Sequence, residues 1–200
     1  MRNQWYGDNR DLVKWGVLLE LAGRYRARHI LQVLYLRPST WERLEIDGVK
    51  VELAAAVVQH FRQVTSVSAI QCPAEVEVVS ENFGDRREYL QIVLQRIRKR
   101  PEAKLPGIVF LDPDTGLEPP GKARPEHVLE SELQKVWQAL RPGDVLVLYQ
   151  HQTNRNGTPW AKPKKKQFEG ALGIRKGSAR LAQPDRIAPD VAFFFIEKDD

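Results

Sequence analysis

Short apolar runs alternate along the chain with stretches in which apolar residues recur every three or four positions. Runs bounded by turn residues are typical of strands buried in a sheet, and the longer spacing is typical of amphipathic helices. The pattern predicts strands at His29–Leu36, Val76–Glu81, Ile108–Asp112, Val145–Tyr149, Arg180–Leu181 and Val191–Ile196. It predicts helices at Asn9–Tyr25, Leu53–Phe61, Leu90–Arg100, Leu129–Leu140 and Trp160–Leu172, and a hairpin turn at Asp47-Gly48.

This alternation predicts a doubly wound α/β fold, in which helices cover both faces of a mostly parallel, Rossmann-like sheet closed by an antiparallel C-terminal strand. With no repeat or linker, residues 1–200 are expected to form a single domain. The chain lacks an apolar run of about 20 residues, which argues against a membrane location. The lone Cys72 excludes an internal disulfide, and the N-terminus has no secretion-signal core, so a cytoplasmic location is expected.

The most informative segment is the apolar run from Gly107 that ends in Asp112-Pro113-Asp114. Ligands of open α/β sheets bind beyond the carboxyl ends of parallel strands. If the strand that starts at Val145 is a neighbour, then Asp112, Asp114, Gln150 and His151 emerge at one edge. Two carboxylates near an imidazole can bind a divalent metal, orient an amine or relay a proton. These three residues are therefore the catalytic candidates.

Each candidate also has a purely structural interpretation. Asp112 can cap the turn at Thr115-Gly116, Asp114 can cap the backbone locally, and an isolated histidine such as His151 is often a surface or packed residue. Glu81 ends the preceding strand, where it can hold a ribose or a metal, or simply be exposed to solvent.

The start of the first helix is a candidate ligand-binding segment, because Asp8, Asn9, Lys14 and Trp15 lie within two turns. The amino end of a helix has free N–H groups and favours anions. The structural alternative is a capped helix whose Trp15 packs in the core.

Basic residues crowd one segment, although the net charge of the whole chain is only +5. Such a cluster attracts the phosphates of RNA or DNA, whereas the alternative is a solvated helix face. The cluster comprises Arg155, Lys162, Lys164, Lys165, Lys166, Arg175 and Lys176, and is opposed by Glu169 alone. No glycine-rich dinucleotide motif or phosphate-binding loop is present, which disfavours nucleotide triphosphate hydrolysis.

Three segments, in order, resemble the DPPY-type ribosomal-RNA adenine-N6 methyltransferases. Gly7-Asp-Asn-Arg-Asp-Leu-Val-Lys-Trp15 is similar to their Gly-Asn-His-Ala-Asp-Val-Leu-Lys-His segment. Gly107-Ile-Val-Phe-Leu-Asp-Pro-Asp114 is similar to their Gly-Leu-Val-Leu-Ile-Asp-Pro-Pro strand, and Leu140–Tyr149 matches the helix end and strand that follow.

The resemblance implies an S-adenosylmethionine-dependent methyltransferase-like protein that acts on or binds nucleic acid. It places Asp112 at the target amine, and Lys14 and Trp15 close to the cofactor. Enzymes that modify bases extrude the target base from the stack to reach it. In this chain Asp114 replaces the second proline of the motif, and Thr115 replaces the aromatic residue.

Two other functions stay open. Asp112-Pro-Asp-x-Gly-x-Glu118 also resembles the Toprim metal motif of topoisomerases and related nucleases, in which paired aspartates and an upstream glutamate hold magnesium. In that case Glu81 would be the upstream acid, and Mg²⁺ or Mn²⁺ would support phosphoryl transfer. The third possibility is a noncatalytic nucleic-acid-binding domain of the same fold.

Overall fold

A six-stranded sheet organises the protein. The computed structural model describes residues 9–37, 43–46, 48–52, 54, 56, 64–100, 105–121, 123–152, 154, 159–184 and 186–199. Within them the α-helices are α1 (Asn9–Arg24), α2 (Arg86–Lys99), α3 (Glu130–Ala139) and α4 (Ala161–Leu172). The strands are β1 (His29–Val33), β2 (Arg43–Ile46), β3 (Val49–Glu52), β4 (Glu75–Val79), β5 (Gly107–Leu111), β6 (Gly116–Leu117), β7 (His127–Val128), β8 (Val145–His151), β9 (Arg180–Ala182) and β10 (Val191–Glu197).

The order of the strands in the main sheet is β4-β1-β5-β8-β10-β9. Strands β4, β1, β5 and β8 run parallel, and β10 is antiparallel to both of its neighbours, β8 and β9. The predicted mostly parallel sheet with an antiparallel C-terminal strand is thus confirmed. The chain crosses from β4 on one side of β1 to β5 on the other side. The crevice between the carboxyl ends of β1 and β5 is therefore the switch point, at which such folds bind ligands.

Helices cover both faces of the sheet, because successive strand residues point to opposite sides. One core joins α1 to side chains such as Ile108, Phe110 and Phe193. The other core joins α2, α3 and α4 to the alternate residues, such as Val109 and Phe194. None of the described helices is long and apolar enough to cross a bilayer.

The ends of the elements follow local chemistry. Helix α2 begins at Arg86, earlier than the apolar pattern predicts, because the Asp85 carboxylate accepts a hydrogen bond from Glu88 N at 2.8 Å. The predicted hairpin is confirmed by the pairing of β2 with β3 around Gly48, whose φ is +80°. Asp47 and most of the predicted helix Leu53–Phe61 lie outside the described residues.

The loop that follows β5 is held against β8 by one buried amide. Gln150 is fully buried; its Oε1 accepts from Leu117 N at 2.9 Å, and its Nε2 donates to Thr115 O at 2.8 Å. Gly116 makes this approach possible, because its φ is +106° and a Cβ there would lie 2.3 Å from Gln150 Oε1. The sharp turn after Asp114 is therefore built into the fold.

Gly116→Ala should lower the free energy of unfolding by about 3 kcal/mol or more, because it adds a steric clash to backbone strain. Gly121→Ala is the matched control, since Gly121 also has a positive φ, +69°, but open space around it. It should cost only about 1–2 kcal/mol. Denaturant unfolding measures both variants, and equal losses would contradict the role given to Gln150.

Candidate functional site

Charged side chains gather at the carboxyl edge of the sheet, where β1, β5 and β8 end. Asp112 directly follows β5, and its N–H donates to Val33 O at 2.8 Å. Arg37 follows β1, and His151 is the last residue of β8. Three separate groups of ion pairs form here, and each joins this edge to a different part of the chain.

The first group is buried beneath α1. Asp112 has 0% of its surface exposed and Lys14 has 5%. Lys14 Nζ lies 2.9 Å from Asp112 Oδ1 and 3.1 Å from Asp11 Oδ1. The same ammonium sits 4.7 Å from the centroid of the Tyr149 ring, which is a cation–π distance. A charge network thus ties the helix to the ends of β5 and β8.

Burial and pairing act against each other in this group. Burial alone would lower the pKa of Lys14, but the Asp112 and Asp11 carboxylates outweigh burial and raise that pKa above its ordinary value. Burial raises the pKa of Asp112, and the Lys14 ammonium opposes that rise. Lys14 therefore stays charged, and without it burial would favour the neutral form of Asp112.

The second Asp112 oxygen is held by Gln32, a residue that the sequence analysis did not single out. Gln32 is buried in β1, and its Nε2 donates to Asp112 Oδ2 at 2.9 Å. Its Oε1 accepts no hydrogen bond from the part of the chain that the structure describes. The available signal was a single amide inside an apolar strand, because a buried polar group needs a partner.

The second group places His151 beside Asp190 rather than beside Asp112. His151 Nε2 lies 3.0 Å from Asp190 Oδ2, and Arg10 donates to the same carboxylate. Burial alone would raise the pKa of Asp190, but the hydrogen bond from Arg10 and the charges of His151 and Arg10 outweigh burial and lower that pKa. This group joins the start of α1 to β8 and β10.

The third group spans the switch point. Arg37 pairs with Asp114, and its other terminal nitrogen lies 3.7 Å from Glu126 Oε2. The three catalytic candidates therefore interact with three different partners rather than with one another. The reason is geometric: Asp112 falls on the same face as Phe110, two residues earlier, which belongs to the core under α1. Among the described residues, no group of three or more His, Cys, Asp or Glu side chains is suited to a metal ion.

Of the other predicted ligand-binding residues, the structure describes Glu81, Trp15 and Asn9. Glu81 lies just beyond β4 and is 3.0 Å from Arg96. Trp15 packs in the core under α1, and Asn9 is exposed at the first position of that helix. Asp8 and Arg155 lie outside the described residues.

The predicted phosphate-binding lysines fall into two sets. Lys164 is 7% exposed, and its Nζ donates to Leu117 O at 3.0 Å and Glu118 O at 3.1 Å. Lys165 donates to Ala179 O. Only Lys162 and Lys166 of this run are exposed. The difference from the prediction arises because three consecutive helical residues point in directions about 100° apart.

A distant similarity to a solved structure links this chain to known proteins. No model of a known protein family matches the chain, and no curated protein matches it either. A solved structure from Thermobifida fusca YX, provisionally named a methyltransferase, is similar at 16% sequence identity and a TM-score of 0.42. The match covers 96% of this chain and 80% of that one. The fold assignment therefore depends on the sheet topology described above.

The pairing of Asp190 predicts a specific acid sensitivity. A carboxylate whose folded pKa lies below its ordinary value of 3.8 stabilises the fold above that value. This contribution is lost as the pH falls through the lowered pKa. The free energy of unfolding should therefore fall less steeply below about pH 4 in Asp190→Asn than in the unmodified protein. Denaturant titrations between about pH 2 and 6 test this, and parallel curves would contradict it.

Proposed function

We propose that the protein is an S-adenosylmethionine-dependent, methyltransferase-like protein that acts on or binds nucleic acid. One observation carries the proposal: Lys14 and Asp112 are in contact at the carboxyl edge of the sheet. They belong to two of the segments that resemble adenine-N6 methyltransferases, and those segments lie far apart in the chain. Their contact supports a shared arrangement rather than two unrelated short matches.

Two features fit a bound nucleoside cofactor. The residues after β1 contain no glycine, yet Tyr35 has a φ of +47° and so makes the left-handed turn that glycine usually makes. Its side chain packs in the core beneath α2, against Phe83 and Tyr89, with ring centroids 5.3 and 5.4 Å away. Glu81, beyond the neighbouring β4, offers a carboxylate for ribose hydroxyls.

The roles of the residues follow from these positions. S-adenosylmethionine supplies an electrophilic methyl group when it is bound. Glu81 would orient the ribose, and the backbone around Tyr35 would lie against the cofactor. Lys14 and Gln32 hold the two oxygens of Asp112 in place. Adenine-N6 chemistry, in which Asp112 contacts the target amine, stays a prediction of the resemblance.

One observation favours a second candidate, the noncatalytic nucleic-acid-binding domain. Asp112 is fully buried and both of its oxygens face partners within the chain, so an amine reaches it only if α1 moves. The nuclease alternative has less support, because Asp112 and Asp114 pair with different cations instead of sharing a ligand.

Calorimetric titration with S-adenosylmethionine and its demethylated product tests the proposal. The unmodified protein should bind both ligands, and Glu81→Gln should weaken binding roughly 10- to 150-fold, since a hydrogen bond to a charged group contributes about 1.5–3 kcal/mol. Glu88→Gln, which removes an exposed carboxylate on α2, is the matched control and should change affinity less than about twofold.

The two candidate functions predict different results. Absence of binding by either ligand to the unmodified, folded protein would contradict the cofactor assignment. If RNA or DNA still binds under those conditions, the noncatalytic domain is the function that the measurements support.

A further inference from the structure

Helix α4 separates its lysines by direction. The ammonium groups of Lys164 and Lys165 donate to backbone carbonyls of the protein, that of Leu117 and that of Ala179 respectively. Lys162 and Lys166, one helical turn apart, are exposed and lie next to each other on the helix surface. The outward face of the helix is therefore basic even though only half of its lysines contribute to it.

The loop that follows α4 is held against the helix by the side chain of Glu169. Glu169 is 2% exposed, and its Oε1 accepts from Gly177 N at 3.0 Å and from Ala179 N at 3.2 Å. Lys165 lies 3.3 Å from the same oxygen. Because Lys165 also donates to Ala179 O, the loop is anchored at two residues of α4 that flank Lys166 in the sequence.

The loop and the first residue of β9 add three exposed cations to those of the helix. Arg175, Lys176 and Arg180 are exposed. Between Pro159 and Ala182 the sequence contains one acidic residue, Glu169, and that carboxylate is used internally. We call the exposed side chains Lys162, Lys166, Arg175, Lys176 and Arg180 the basic strip. It ends at a groove of about 490 Å³, which Arg175 and Lys198 line together with the acidic Asp199.

Three glycines lie among the cations along the chain, and the space above each of them is open. Gly170, Gly173 and Gly177 have no atom within 4 Å of the place where a Cβ would be. The outward face of α4 carries Pro163 and Gly170 instead of the large apolar residues that a membrane-inserted helix needs. An exposed cationic surface of this kind suits a phosphate backbone, which carries closely spaced negative charge.

We propose that the basic strip is the surface that binds the phosphate backbone of nucleic acid. This inference rests on the proposed function and identifies the contact surface for its nucleic-acid partner. Of the cluster predicted from the sequence, the strip retains Lys162, Lys166, Arg175 and Lys176, excludes Lys164 and Lys165, and adds Arg180. Phosphate contacts fix position and do not read sequence, so the strip should bind without strong sequence preference.

Fluorescence anisotropy with a labelled single-stranded RNA of about 20 nucleotides, titrated between about 50 and 200 mM salt, tests the strip. Each lost phosphate contact should reduce the slope of log affinity against log salt by about 0.7. The pairs Lys162→Gln/Lys166→Gln and Arg175→Gln/Lys176→Gln should each reduce it by about 1.4. The charge-matched control Arg87→Gln/Lys99→Gln changes two exposed residues of α2 and should leave the slope unchanged.

Three results would overturn the inference: no RNA binding by the unmodified protein, equal slope changes in strip and control variants, or strip-dependent binding to phosphatidylserine vesicles but not to RNA. Titration of S-adenosylmethionine into the same variants keeps the two proposals distinguishable. If the strip fails while the cofactor binds normally, the methyltransferase-type site stands and only its nucleic-acid surface is wrong.

Discussion

The buried ion pair between Lys14 and Asp112 is the interaction on which the carboxyl edge of the sheet depends. It joins the first helix to the central strand β5, and both charges are almost completely removed from water. Leaving either charge buried without its partner costs about 3–5 kcal/mol, so the helix and the strand must assemble together. Gln32, Asp11 and the ring of Tyr149 complete the surroundings that make this burial tolerable.

Other polar side chains at this edge also hold separate parts of the chain together. Gln150 and Lys164 hold the backbone after β5 from two sides, so the turn that carries Asp114 is set by groups inside the fold. Arg37 and Asp190 then connect the ends of β1 and β10 to that edge. These charges are paired with one another, and the basic strip that we propose for nucleic acid lies elsewhere, along the outward face of α4 and the chain after it.

The sequence was sufficient to predict the sheet. The spacing of apolar residues shows which side chains of each strand and helix are buried, and burial decides the type of element. The partners of charged side chains were not predictable in this way. Asp112 and Asp114 look like a pair in the sequence, yet the pleat turns Asp112 under α1, while Asp114 meets Arg37. In the sequence, Lys164 appears to belong to a run of solvent-exposed lysines. In the helix its side chain points inward and donates to the carbonyl of Leu117. The position of Gln32, a lone amide in an apolar strand, did indicate that its side chain has a buried polar partner.

The most direct test of this account is a double-mutant cycle on the buried pair, with Lys14→Met, Asp112→Asn and the double variant compared by denaturant unfolding. If the pair ties α1 to β5, each single change should cost about 3–5 kcal/mol, and the double variant should lose about 1–3 kcal/mol less than the sum. Losses that add within about 0.5 kcal/mol would show that the two side chains act independently, and would contradict the central claim.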